Sequence, residues 1–149
     1  MKMRIFICAL MLGGLVSLTA MQAGAQDRIV TADIPFEFMV CKEQLPAGKY
    51  RIEPFSRSNP SIMIFRSQDN HSVEIACTRD VQGTKLSGKG KLIFNRYGNQ
   101  YFLSEIWFAG EPTGSEVLKS EREEALLREL APRRKREKVT IKVTETKPN

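Results

Sequence analysis

Apolar residues Ile34, Phe36, Phe38 and Val40 alternate with Pro35, Glu37 and Met39, the two-residue period of a half-buried strand. Pro35 has no amide proton to give to a ladder, so this strand starts there or runs along an edge. Lys42 to Gly48 reads as a turn, and Lys49 to Glu53 returns with Tyr50 and Ile52 on one face until Pro54 stops it, which predicts a β-hairpin. After a polar break from Ser56 to Pro60, Ile62, Ile64 and Phe65 predict a third strand. Gln68 to His71 is a turn, and Val73, Ile75 and Cys77 mark a fourth strand. Beyond the Gly- and Lys-rich loop from Gly83 to Gly90, Leu92 to Arg96 and Tyr101 to Phe108 form the strongest hairpin signal. Gly98-Asn99 at its tip can take the positive φ of a tight turn.

In that second arm Tyr101, Leu103 and Trp107 share one face with Glu105, while Phe102, Ile106 and Phe108 share the other with Ser104. Both faces are largely apolar, so the strand is expected to be central or covered on both sides. Gly110, Pro112 and Gly114 read as the end of the β region. Ser120 followed by Glu123 is a capping box, and Ala125, Leu126, Leu127 and Leu130 give a helix an apolar stripe before Pro132 stops it. Val139 to Val143 alternates weakly and reads as a frayed tail rather than a last edge strand. The pattern predicts a mainly β fold: an antiparallel meander of about six strands forming a small barrel or sandwich, with one C-terminal helix and a basic tail.

The N-terminus changes the picture of where this domain works. Lys2 and Arg4 precede an uncharged apolar run from Ile5 to Leu18, and Ala23-Gly24-Ala25 offers a small-residue cleavage site. These are the three parts of a secretory signal peptide. A membrane anchor, the competing reading, needs about 20 apolar residues, and Gly13, Gly14 and Ser17 interrupt this run. The expected division is a signal peptide over 1–25, a β-rich domain with its helix over 26–131, and a flexible basic tail over 132–149. The mature form, periplasmic or extracellular, is expected to have no transmembrane segment. In such a compartment Cys41 and Cys77, the two cysteines left after the leader, are a disulfide candidate. A bond closing that loop of roughly three dozen residues would stabilise the fold by about 4 kcal/mol on the chain-entropy model. The alternative is two separate thiols acting as small apolar residues.

Charge is local. The chain carries 23 Lys and Arg against 17 Asp and Glu, and without Lys2 and Arg4 the excess is +4. Arg133, Arg134, Lys135, Arg136 and Lys138, less Glu137, account for all of it. The domain itself therefore lacks the general basic character that accompanies nucleic-acid binding, and only this run is a candidate for binding an anionic surface. The bland alternative is a solvated tail.

Catalytic motifs are sparse. Gly83 to Lys89 fits G-x-x-x-x-G-K, but Gly90 stands where a phosphate-binding loop needs Ser or Thr, and a strand follows instead of a helix. His71, the one histidine, falls in a polar turn with no nucleophile-elbow pattern elsewhere, and no zinc-ligand spacing occurs. Glu37 and Glu105 could work as a carboxylate pair only if they faced one cleft. Otherwise Glu105 would pair with Arg96 or a neighbouring Arg or Lys. Tyr97, Tyr101 and Trp107 are the candidate aromatic platform, against the alternative that strand aromatics are core.

Ile34-Pro35-Phe36-Glu37-Phe38, Leu45-Pro46-Ala47-Gly48-Lys49-Tyr50, and Phe94-Asn95-Arg96-Tyr97-Gly98 running into Tyr101-Phe102-Leu103-Ser104-Glu105-Ile106-Trp107 form a combined pattern. In it the chain resembles an uncharacterised family of small exported bacterial β-rich proteins, over about Ile34 to Arg122. The resemblance implies export and a β-rich fold and carries no site. Cys41, Cys77 and the Arg133 to Lys138 run lie outside its pattern. The expectation is a non-catalytic, exported interaction module that needs no cofactor, its partner an envelope protein or an anionic surface. A carrier of a small apolar ligand and a small hydrolase are the alternatives.

Overall fold

The computed structural model describes residues 28–69, 71–130 and 137–145. The expected leader, residues 1–25, lies outside them. The chain is mainly β, with eleven strands and one helix among the described residues. In order these are β1 Val30–Ile34, β2 Phe38–Val40, β3 Glu43–Leu45, β4 Gly48–Ser56, β5 Asn59–Ser67, β6 Val73–Gln82, β7 Lys91–Tyr97, β8 Gln100–Trp107, β9 Thr113–Val117, α1 Glu121–Leu130, β10 Glu137–Lys142 and β11 Thr144–Glu145.

The hydrogen-bonded path is β10-β7-β8-β9-β6-β5-β4-β1-β11, antiparallel throughout, with β2 attached in parallel to β8 and carrying β3. Two segments turn corners in this path. β6 pairs with β5 through the register Ile62↔Cys77 to Arg66↔Val73, then with β9 from Thr78 to Gln82. β10 and β11, separated by Val143 alone, pair with β7 and with β1 respectively. The path is open in its hydrogen bonding, yet its two ends lie on one short segment, so the sheet curls round a common core. Strands that switch partners at corners are how packed β layers close over one interior.

Alternation fills that interior. Val30, Ala32 and Ile34 of β1, Tyr50 and Ile52 of β4, Met63 and Phe65 of β5, and Leu92 and Phe94 of β7 are all buried in one cluster. Phe38 ties its two sides together, meeting Tyr50 edge-on at 5.3 Å and Phe94 at 5.5 Å between ring centroids. A second cluster lies on the other face of β7 and β8, where Met39, Tyr97 and Phe102 pack against Leu126, Leu127 and Leu130 of α1. The short helix thus has the sheet support that its length demands.

Four sequence expectations are corrected. Pro35 does interrupt the first strand, but the run divides into β1 and β2, and β1 begins upstream at Val30. Thr113–Val117 does not end the β region; it is β9, and it joins β6 to β8. Glu137–Lys142 is no frayed tail, because all six residues pair with β7 and Val139, Ile141 and Val143 pack against the core. Finally, the register between β7 and β8 shifts at Ile93/Phe94, so that Ile93 faces Glu105 and Phe94 faces Leu103. This bulge leaves Ser104 unmatched and flips the inward set from Leu103 to Ile106. Phe102 and Ile106, on one face by simple alternation, end in different clusters.

Candidate functional site

Tyr97, Tyr101 and Trp107 do not form one platform. Tyr97 is buried under α1, and its hydroxyl donates to Glu123 Oε1 at 3.2 Å. The Tyr101 ring is stacked on Phe36 at 4.0 Å with a 16° interplanar angle, and the Arg96 guanidinium stands 5.4 Å from its centroid. Trp107 is buried beyond the bulge, its ring packed over Gly83 and Gly114, with Nε1 donating to Glu105 Oε2 at 2.8 Å. Tyr97 pairs with Gln100 and Arg96 with Tyr101, so the two tyrosines lie on opposite faces, and the β8 register shift parts Trp107 from Tyr101 as well.

Cys41 and Cys77 are free thiols, so the structure holds no disulfide between them. Cys41 sits in the β2–β3 turn with φ 53°, half-buried against the core, whereas the Cys77 side chain alternates outward from β6 and is exposed. The two are neighbours all the same. Burial pushes the Cys41 thiol above its ordinary pKa, opposed in part by a hydrogen bond from the Cys77 backbone N–H to its sulfur.

Of the basic run, Arg133, Arg134, Lys135 and Arg136 lie outside the described residues. Lys138 belongs to β10, and its Nζ is 2.9 Å from Glu105 Oε1. Glu105 therefore has Trp107 and Lys138 as partners, which is the structural pairing its position in a strand suggested, with Lys138 rather than Arg96 as the cation. Glu37 accepts instead from Gln44 Nε2 at 2.9 Å. It lines a half-open cleft of about 60 Å³ with Gln44, Asn99, Gln100, Tyr101 and Arg122 over Phe38 and Met39. Glu105 is not in that lining. His71 is exposed in the β5–β6 turn with φ 59°, and Gly90 leads straight into β7. Among the described residues no cluster of three His, Cys, Asp or Glu side chains could hold a metal, and no helix is long and apolar enough to cross a membrane.

Two arrangements escaped the sequence reading. Glu123 is buried and accepts from Asn95 Nδ2 at 2.9 Å as well as from Tyr97, while its backbone N–H donates to Ser120 Oγ at 3.2 Å. The capping-box spacing was the signal for the second contact, and nothing signalled the first. More consequential is β6, whose apolar alternation points the wrong way. Val73 and Ile75 are 51% and 49% exposed, while Ala76 and Thr78 take the buried positions. Directly across on β5 stand Ile64 opposite Ile75 and Ile62 opposite Cys77, and Leu118, 46% exposed, donates its N–H to Cys77 O at 3.1 Å. Ile64 is itself buried and Ile62 half-buried, so the exposed apolar surface of this face is made by Val73, Ile75, Cys77 and Leu118, the kind of surface that folded domains seldom leave without a use.

Comparison with protein-family models, with curated protein sequences and with solved structures returned no match.

Proposed function

We propose that this is an exported, non-catalytic protein that works by interaction through its surface. The outward strip on β5 and β6 carries the reading: a strand whose apolar residues alternate toward solvent, while alanine and threonine face inward, is patterned for a partner as well as for its own core. The interior supports it from the other side. Tyr50, Phe38, Phe65 and Phe94 are fully buried in one packed cluster, occupying the space that a barrel carrier would keep for its ligand. Hydrolysis by Glu37 and Glu105 finds no support in their separate partners.

The test is photo-crosslinking in the native envelope. A photo-reactive phenylalanine at position 75 is expected to give a discrete adduct of the processed protein, and the same probe at the more exposed Leu86 none. No adduct at 75, with the unprocessed chain found in the cytosol, overturns the reading.

A further inference from the structure

We infer that the outward face of β5 and β6 receives an acidic, apolar, extended segment of a partner protein, its apolar side chains on Val73, Ile75 and Leu118 and its carboxylates on the cations at the two ends. This rests on the interaction reading and names the chemistry of the partner.

The ends of the strip decide the chemistry. At one end, Val73 faces Arg66, and Arg66 faces Arg51 on β4. Arg66 Nε lies 2.9 Å and Arg51 Nε 3.0 Å from the two oxygens of a single carboxylate, Glu53. At the other end, Arg79 Nε lies 2.8 Å from Glu116 Oε2, and Lys119 Nζ 3.8 Å from the other oxygen. Each cluster is two cations on one carboxylate, and therefore carries a net positive charge. The guanidinium groups use Nε for the internal contact, while Arg51, Arg66 and Arg79 remain between 44% and 65% exposed. An arginine has five donors, and these retain their terminal nitrogens for a planar carboxylate.

From Val73 to Arg79 an extended strand covers at most roughly 20 Å, the reach of about six or seven residues. A segment with apolar residues at its centre and acidic residues near both ends matches the strip in length and in sign. A second copy of the chain matches less well, because its face would bring the same two cationic clusters against their like.

The experiment uses ¹⁵N-labelled protein as the cell processes it. It is titrated with a synthetic extended peptide holding three isoleucines between glutamates, and with its counterpart in which lysines replace the glutamates. The glutamate peptide is expected to shift the amides of 62–66, 73–77 and 117–119, to bind at least tenfold more tightly than the lysine peptide, and to weaken as salt rises. The double charge reversal Arg66→Glu with Arg79→Glu is expected to exchange the two preferences, and Ile75→Arg to remove binding by both while leaving the far-ultraviolet dichroism unchanged.

Equal binding of the two peptides, or shifts elsewhere, overturns the inference. So does a concentration-dependent dimer in ultracentrifugation that protects the same amides, which would make the occupant a second copy. Attachment of those amides to phosphatidylglycerol vesicles without any peptide response would make it a lipid surface, and also overturns it. A persistent crosslink at position 75 with no preference for the acidic peptide would sink this partner chemistry and leave the interaction reading standing.

Discussion

Gly114 and Gly83 lack side chains because Trp107 needs the room. A Cβ on Gly114 would lie 2.7 Å from Trp107 Cδ2, and one on Gly83 2.8 Å from Cζ3, closer than side-chain carbons approach. Gly114→Ala must therefore displace the indole, and overpacking of this kind costs about 1–3 kcal/mol. Trp107 is the one tryptophan, so urea unfolding followed by its fluorescence should report both the lost stability and an altered native spectrum. Glu123 supplies a second prediction. Glu123→Ala removes the acceptor from Asn95 Nδ2 and one acceptor of the Tyr97 hydroxyl, and is expected to cost about 1–3 kcal/mol, chiefly through the buried Asn95 donor. Ser120→Ala, which removes only the cap to the Glu123 N–H, should cost about 1 kcal/mol. The sequence shows the capping box, since Ser-x-x-Glu is a local spacing. It cannot show that the glutamate turns inward to Asn95, because the partner lies 28 positions away and only the packing of α1 on β7 brings the two together. Free cysteines follow the same logic: spacing allowed a pair, but strand alternation sends Cys77 outward and leaves Cys41 against the core.

Among the elements, β6 and β8 separate what a period can tell from what it cannot. Both are strands by alternation, as the pattern predicts, yet the sense of alternation fails in each. In β8 one unmatched residue reverses the inward face half-way along, and no local composition marks Ser104 as the bulge. In β6 the more apolar face points outward, which a rule that apolar means inward cannot represent. That outward face has a pH dependence of its own. Burial alone would raise the Glu53 carboxyl, but hydrogen bonds from Arg66 and Arg51 outweigh it and hold the group below the usual carboxylate value. Arg79, chiefly through its hydrogen bond, does the same for Glu116. A depressed carboxyl contributes stability above its unfolded pKa, near the ordinary 4.5, and loses it as pH falls through the lower folded value. Since its cations are substantially exposed, the Glu53 cluster should contribute no more than about 1 kcal/mol. Unfolding free energies measured from pH 7 down to pH 3 should therefore fall less steeply for Glu53→Gln than for the unchanged protein, with the difference confined to pH below about 4.5.

Closure of the whole molecule depends on the segment that the sequence made least of. Val139 to Val143 alternates too weakly to stand out after a basic run, and a final strand is recognisable only from the two edges it must satisfy, one on β7 and one on β1. Those edges are far apart in sequence, so no window along the chain contains the reason for the strand. If residues beyond Leu130 were a solvated tail, ending the chain there would leave the melting temperature unchanged. The structure gives the opposite expectation. Removal exposes one ladder of β7 along six residues and uncovers the core where Val139, Ile141 and Val143 pack, each of them partly buried. Half of the usual burial contribution for three such side chains comes to about 3 kcal/mol, before any contribution from the unpaired edges. For a domain of this size that is a fall in melting temperature of roughly 10 to 15 °C. The double substitution Val139→Thr with Ile141→Asn keeps the backbone ladder and removes most of the apolar cover, so it should produce a smaller fall than truncation. The gap between the two reports what the hydrogen-bonded edges themselves contribute. Freshly unpaired edges are also templates for pairing between chains, and the truncated protein should aggregate during refolding at concentrations where the doubly substituted one remains in solution.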